Sequence, residues 1–266
     1  MKRSFVSLCI TLMLILCFAA TASAGPTIDK ILKNKELVIG TSASYPPLSY
    51  KTKNGTVLGL DIDLATAMAS AMGVKLRVEV IPFDQLIPAL EKGKIDMILS
   101  CMTITPDRNL RIAYVGPYFL SGQSILTTKE IALNINGPAD VNNPNFSIAV
   151  PRGTTTERIA KKMLPQAKLV ITKSTDEALD LLKSKSVKAM MSDYPYVVVE
   201  AFRYKDKGYV ANQPFSKEPI GIGVRQDDPL LVNWIGNFLN MLQGDGLLNL
   251  LTQRWVNDSS WIADLP

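Results

Sequence analysis

The sequence predicts an α/β protein built as two similar lobes. Two observations carry that expectation. From Glu36 onward, short β-rich runs alternate with amphipathic stretches of helical period. The same order then recurs after an Asn/Pro/Gly-rich stretch, "LNINGPADVNNPN" (133–145), which has the composition of a surface connection. The composition agrees: of 266 residues 47% are hydrophobic, with only 16 Gly and 16 Pro, so the chain can bury one large core or two smaller ones and is not disordered.

In the first block, strand "ELVIGTS" precedes helix "DIDLATAMASAMG", strand "KLRVEVI", helix "DQLIPALEKG", strand "DMILS" and a short helix opened by "TPDR". Gly73 and Gly93 sit where helices stop. In the second block, strand "FSIAV" leads to helix "TTTERIAKKML", "KLVIT" to "STDEALDLLKSK", and "KAMMS" to "YPYVVVEAFRYK". Thr154 with Glu157 and Ser174 with Glu177 have the spacing of capping boxes, in which each side chain satisfies the other residue's free backbone N–H. A strand, "IGIGVR", and two helical stretches, "LLVNWIGNFLNMLQ" and "GLLNLLTQRW", close the chain.

The first 24 residues read as a cleavable secretory signal: Lys2 and Arg3, an apolar run from Leu8 to Ala20, and the small-residue ending Ala22-Ser23-Ala24, with Gly25 as first mature residue. The apolar run is shorter than the roughly 20 residues a spanning helix needs. Leu16 before Cys17 is too large for a lipid-attachment signal. The mature protein is therefore expected to be soluble and exported. Cleavage removes two of the 29 basic residues and none of the 24 acids, leaving about +3, too mild a charge for a nucleic-acid partner. Cys101 alone of the three cysteines remains, so no intramolecular disulfide forms. The absence of histidine excludes His-based triads, His metal sites and His proton shuttles.

Ligands of open α/β sheets bind beyond the carboxyl ends of strands, which directs attention to four polar clusters. In "SCMTITPDR", Thr105 is a good N-cap and Pro106 a good first-turn residue, which places Arg108 in the first turn against the helix dipole. Arg108 is either held for an anion, which its planar fork would grip bidentately, or is a surface arginine paired with Asp107. "RGTTTE" offers Gly153 and free N–H groups for an anion, or is an ordinary capped turn without the lysine of a phosphate loop. Asp193 either caps the next helix or neutralises an ammonium group; Tyr45 either stacks on a ligand or packs in the core. An arginine, an N–H cluster and a carboxylate together match both charges of a zwitterion.

With these clusters the chain resembles the polar amino-acid-binding family (family 3) of periplasmic solute-binding proteins of ABC importers. The resemblance runs along nearly all of the mature chain. "GLDIDLATAMA" (59–69) is its most specific part, and "SYPPLSY", "LIPALEKGKIDMI", "TITPDR", "GPYF" and "RGTT" follow in the family's order. It implies two α/β lobes, each a central mainly parallel sheet flanked by helices, joined by two hinge strands and closing on one ligand. Lobe 1 would comprise 25–127 and 218–266, and lobe 2 128–217. It implies that Arg108 holds the α-carboxylate, with Thr155 completing that site from lobe 2. Thr103 would touch carboxylate and ammonium, and Asp193 would take the ammonium. Tyr45 and Phe83 would wall the ligand side chain, with Ser100 and Cys101 lining the same turn. Cys101 stands where relatives usually have Ser or Gly.

Ser42 stands where relatives that bind basic amino acids often carry an acid, and Ser49 replaces the family's common Glu of "PPFE". A cationic side chain thus loses two counter-charges, and the ligand side chain is expected to be uncharged or acidic; Arg152 either favours that choice or points to solvent. The implied function is a monomeric, non-catalytic importer subunit that binds one L-amino acid, docks on a membrane permease and needs neither cofactor nor metal. The alternatives are a dehydratase of the cyclohexadienyl type on the same scaffold, or a ligand sensor.

Overall fold

A computed structural model describes residues 25–266, so the signal segment 1–24 lies outside the described residues. In chain order the strands are β1 (Glu36–Thr41), β2 (Ser44–Tyr45), β3 (Ser49–Lys51), β4 (Val57–Leu58), β5 (Lys75–Val80), β6 (Met97–Ile98), β7 (Ala113–Ser121), β8 (Gln123–Thr128), β9 (Ser147–Pro151), β10 (Lys168–Thr172), β11 (Ala189–Asp193), β12 (Tyr209–Ala211) and β13 (Glu218–Val224). They form two five-stranded sheets, β5-β1-β6-β13-β7 and β10-β9-β11-β8-β12, and a small antiparallel sheet β2-β3-β4. Helices flank both large sheets, giving the two-lobed α/β architecture.

Each large sheet is mainly parallel, as the sequence led us to expect: four of its five strands share one direction, and a single strand, β13 in the first sheet and β8 in the second, runs against them. β1 pairs in parallel with β5 and β6, and β9 with β10 and β11, because helices return the chain to the same end of the sheet. β13 runs antiparallel to β6 and β7, and β8 antiparallel to β11 and β12, because these strands carry the chain between lobes without a helical crossover. The sheets change over at Gly122, between β7 and β8; residue 127, the sequence boundary, falls inside β8. The chain returns after β12, and β13 enters the first sheet between β6 and β7.

Both capping boxes form in modified shape. Glu157 N donates to Thr154 Oγ1 (3.1 Å) and Glu177 N to Ser174 Oγ (3.1 Å) as expected. The glutamate carboxylates reach one residue beyond the N-cap, to Gly153 N (2.7 Å) and Lys173 N (2.6 Å). The sequence reading also lacks the helix Pro26–Asn34, the small sheet, β7, β8 and β12. Asp228, fully buried, accepts the N–H groups of Thr27, Ile28 and Leu231 at 2.8–2.9 Å, so it caps one helix and fastens another that begins two hundred residues earlier.

The family-specific "GLDIDLA" run explains itself in this packing. Gly59 has φ +132°, and any Cβ there would overlap the Leu48 carbonyl oxygen. Asp61 is fully buried and accepts Cys101 N (3.0 Å) and Tyr118 Oη (2.6 Å), while Asp63 accepts Trp255 Nε1 (2.8 Å) and so ties in the C-terminal helix Leu247–Val256.

Candidate functional site

A cavity of about 340 Å³ lies between the lobes at the carboxyl ends of β1, β6, β9 and β11. It is lined by Tyr45, Phe83, Ser100, Cys101, Thr103, Arg108, Arg152, Thr155 and Asp193, nine of the ten residues singled out from the sequence. Gly153 is the exception. Its N–H is taken by the Glu157 carboxylate, and its carbonyl accepts Arg108 Nη2 at 3.0 Å, so it serves the site through Arg108 rather than as a free N–H donor.

Arg108 lies in the short helix Pro106–Asn109, whose N-cap Thr105 accepts Arg108 N at 3.3 Å. The guanidinium donates to Thr103 O (2.9 Å) and Gly153 O, and its Cζ stands 5.3 Å from the Phe83 ring centre. Among the described residues it forms no ion pair with Asp107, which removes the surface-pair alternative. Two of its five N–H donors go to carbonyls, leaving three without an acceptor among the described residues. Burial lowers its pKa, an effect that Tyr114, Glu218 and Asp193 partly offset. Thr155 and Thr156 begin the nine-residue helix Thr155–Met163, so the positive end of that helix faces the same space.

Asp193 ends β11 and occupies the N-cap position of the helix Tyr194–Arg203, but its side chain makes no cap bond. The carboxylate instead accepts Tyr45 Oη, Ser121 Oγ (3.0 Å) and Gln123 Nε2 (3.2 Å). Burial pushes its pKa up to about 6, against the pull of the Tyr45 hydrogen bond. Tyr45 is more than an apolar wall: its ring packs 5.2 Å from that of Tyr196, and its oxygen meets Ser192 Oγ (2.9 Å) and Asp193 N (2.7 Å).

Cys101 is buried at φ +50°, a backbone conformation that most side chains strain to adopt, held there by the bond from its N–H to Asp61. Burial first, then the nearby Asp193 and Asp61 charges, raise its thiol pKa well above the ordinary value, which favours the thiol over the reactive thiolate. Ser42 lines the cavity and its N–H donates to Ser100 Oγ (2.9 Å). Ser49 does not: it is fully buried and accepts Thr41 Oγ1 at 2.8 Å. Sequence reasoning also missed Pro151, Lys173, Asp176 and Ser192 in the lining. Adjacency to Arg152, Ser174 and Asp193 was the available signal.

The description of bacterial extracellular solute-binding proteins, family 3, matches residues 37–258. The chain belongs to that family. An L-arginine-binding protein from Pseudomonas aeruginosa is 31% identical, over 84% of this chain and 89% of its own length. The ancestral amino acid-binding protein AncCDT-1, a precursor of cyclohexadienyl dehydratase, has a crystal structure 39% identical with a TM-score of 0.81, covering 86% of this chain and 99% of its own. A binding component of an ABC transporter from Wolinella succinogenes, complexed with lysine, is 33% identical with a TM-score of 0.82, over the same 86% and 99%. Among the described residues of this family-3 protein no helix is long and apolar enough to cross a membrane.

Proposed function

We propose that this protein is the extracytoplasmic amino-acid-binding subunit of an ABC importer and captures one free L-amino acid between its lobes. One observation carries the reading: a single cavity brings together a guanidinium with unused donors, a helix N-terminus and a buried carboxylate. Arg108 and the Thr155 turn take the α-carboxylate, and Asp193 takes the ammonium. The carboxylate group is thus held from both lobes, so the ligand has more contacts in the closed state than in the open one, the differential affinity that ligand-driven closure requires. Gly122 and the segment between β12 and β13 would be the crossings about which the lobes, 25–121 with 218–266 and 123–211, turn.

The expectation of an uncharged or acidic side chain rested on Ser42 and Ser49, and Ser49 is outside the cavity. Asp176 in the cavity wall has no hydrogen-bond partner among the described residues, although Arg152 and Lys173 are on the same wall. Together with the arginine- and lysine-binding relatives, this puts arginine and lysine first in a screen.

The test is calorimetric titration with all twenty amino acids, repeated on Arg108→Ala. One amino acid is expected to bind tightly and stabilise the fold, and the variant to lose it while keeping its circular dichroism. No response from any amino acid, or full affinity in the variant, would overturn the assignment. The AncCDT-1 likeness motivates one further arm: aromatic product from prephenate or arogenate would establish the dehydratase reading instead.

A further inference from the structure

Glu218 opens β13 and pairs with Ser121, the last residue of β7, on the rung where the two strands leave the first sheet. The two partners reach toward the cavity from this rung. Ser121 donates to Asp193, and Glu218 accepts the Thr103 hydroxyl at 2.8 Å. Glu218 is 5% exposed, and among the described residues no lysine or arginine is within ion-pair distance of it. Its charge is felt at Asp193, Cys101 and Arg108, which surround the same end of the cavity.

A hydroxyl has one proton and two lone pairs. Once the Thr103 proton is given to Glu218, the Thr103 oxygen can only accept. Thr155 Oγ1 lies 3.4 Å from it, at the edge of hydrogen-bond range, so a stronger donor from the ligand has room to compete for that oxygen. A ligand carboxylate would meet lone pairs there, and a protonated amine would meet an acceptor backed by a buried negative charge.

We infer that Glu218 is a positioning residue of the head-group subsite: by fixing the Thr103 proton it makes Thr103 an acceptor for the ligand amine, and so makes the site select amino acids over carboxylates that lack the amine. The inference rests on the amino-acid reading above.

The experiment compares matched pairs by calorimetry in wild type and Glu218→Gln: L-arginine with 5-guanidinopentanoate, L-lysine with 6-aminohexanoate, and the best amino acid of the screen with its des-amino analogue. The glutamine amide keeps the shape but removes the charge and brings a donor of its own. The amine-bearing member is expected to weaken about tenfold, the size of one charge-assisted hydrogen bond, and its partner by less than about threefold. Thr103→Val, which leaves Glu218 intact, is expected to compress the same ratio and provides the answer if the glutamine variant does not fold. Equal losses within a pair, or an unchanged ratio in the valine variant, would overturn the role of Glu218 while amino-acid binding stands. No wild-type response to any amino acid would overturn both.

Discussion

Tyr45, on the small sheet of lobe 1, donates its hydroxyl proton to Asp193 at the end of β11 and in return accepts Asp193 N at 2.7 Å. The pair joins the lobes directly at the point where the ligand amine is proposed to sit. Tyr45→Phe keeps the ring packing on Tyr196 and removes only the oxygen. It is expected to lower ligand affinity about tenfold, by the roughly 1.5 kcal/mol of a hydrogen bond to a charged group, with a smaller melting shift than Tyr45→Ala. Calorimetry and thermal melts on both variants check this.

Acid should move binding and stability in opposite directions. Asp61 and Asp193 are each pushed up to about 6 by burial, whereas an unfolded aspartate titrates near ~3.9. Between these values the folded state binds more protons than the unfolded state, so their contribution makes the unliganded protein more stable as pH falls from about 7 to 4, by on the order of 2–3 kcal/mol per group at the limit. Amine binding needs Asp193 ionised, so affinity is expected to fall over the same window. Melting curves and titrations at pH 7.5, 6 and 5 test both trends; affinity that holds constant to pH 5 would remove Asp193 as the amine partner.

Asp61 is expected to matter as much as any residue lining the cavity. It holds the N–H of Cys101 in a turn at φ +50°, and Tyr118 holds its other oxygen. In Asp61→Asn one of the two donors faces an amide nitrogen and goes unpaired, which costs about 1–3 kcal/mol of stability. Affinity should drop as well, because the Ser100–Thr103 turn loses its anchor. Unchanged denaturant midpoint and affinity would refute this support role.

Gly153→Ala should separate closure from folding. Gly153 has φ +73°, and a Cβ would stand 3.0 Å from Asp84 Cβ in the opposite lobe. The left-handed backbone strains alanine by about 1 kcal/mol in any state, and the contact adds strain only when the lobes are together. Affinity is therefore expected to fall by more than stability does, read from titration and urea unfolding of the same preparation.

The helix-and-strand rhythm of both blocks was legible because each element buries one face against its own sheet, which leaves a periodic pattern. β7 and β8 were not, because "AYVGPYFLSGQSILTT" contains Gly116, Pro117 and Gly122 and its burial does not alternate along the strands. Arg108, Thr105 and the helix starts could be read because capping chemistry is local. The role of Asp61 could not, since its partners lie 40 and 57 residues away. Glu218 sits in "SKEPIG", which reads as a charged loop until β13 is placed beside β7. Gly153 was expected to offer a free N–H, but Glu157 takes it, because the reach of that side chain past the N-cap is not visible in a spacing rule.

The position of β13 bears on the order in which the chain can fold. The first sheet lacks its fourth strand until Val224 is available, and the helix at Pro26 lacks its fastening until Asp228 is. The second sheet needs only residues between Gln123 and Ala211, all made earlier. During synthesis lobe 2 can therefore mature while lobe 1, though begun first, stays open until nearly the whole polypeptide exists. For a family whose members work outside the cell, a lobe that cannot complete itself early leaves the leading part of the chain in a threadable state.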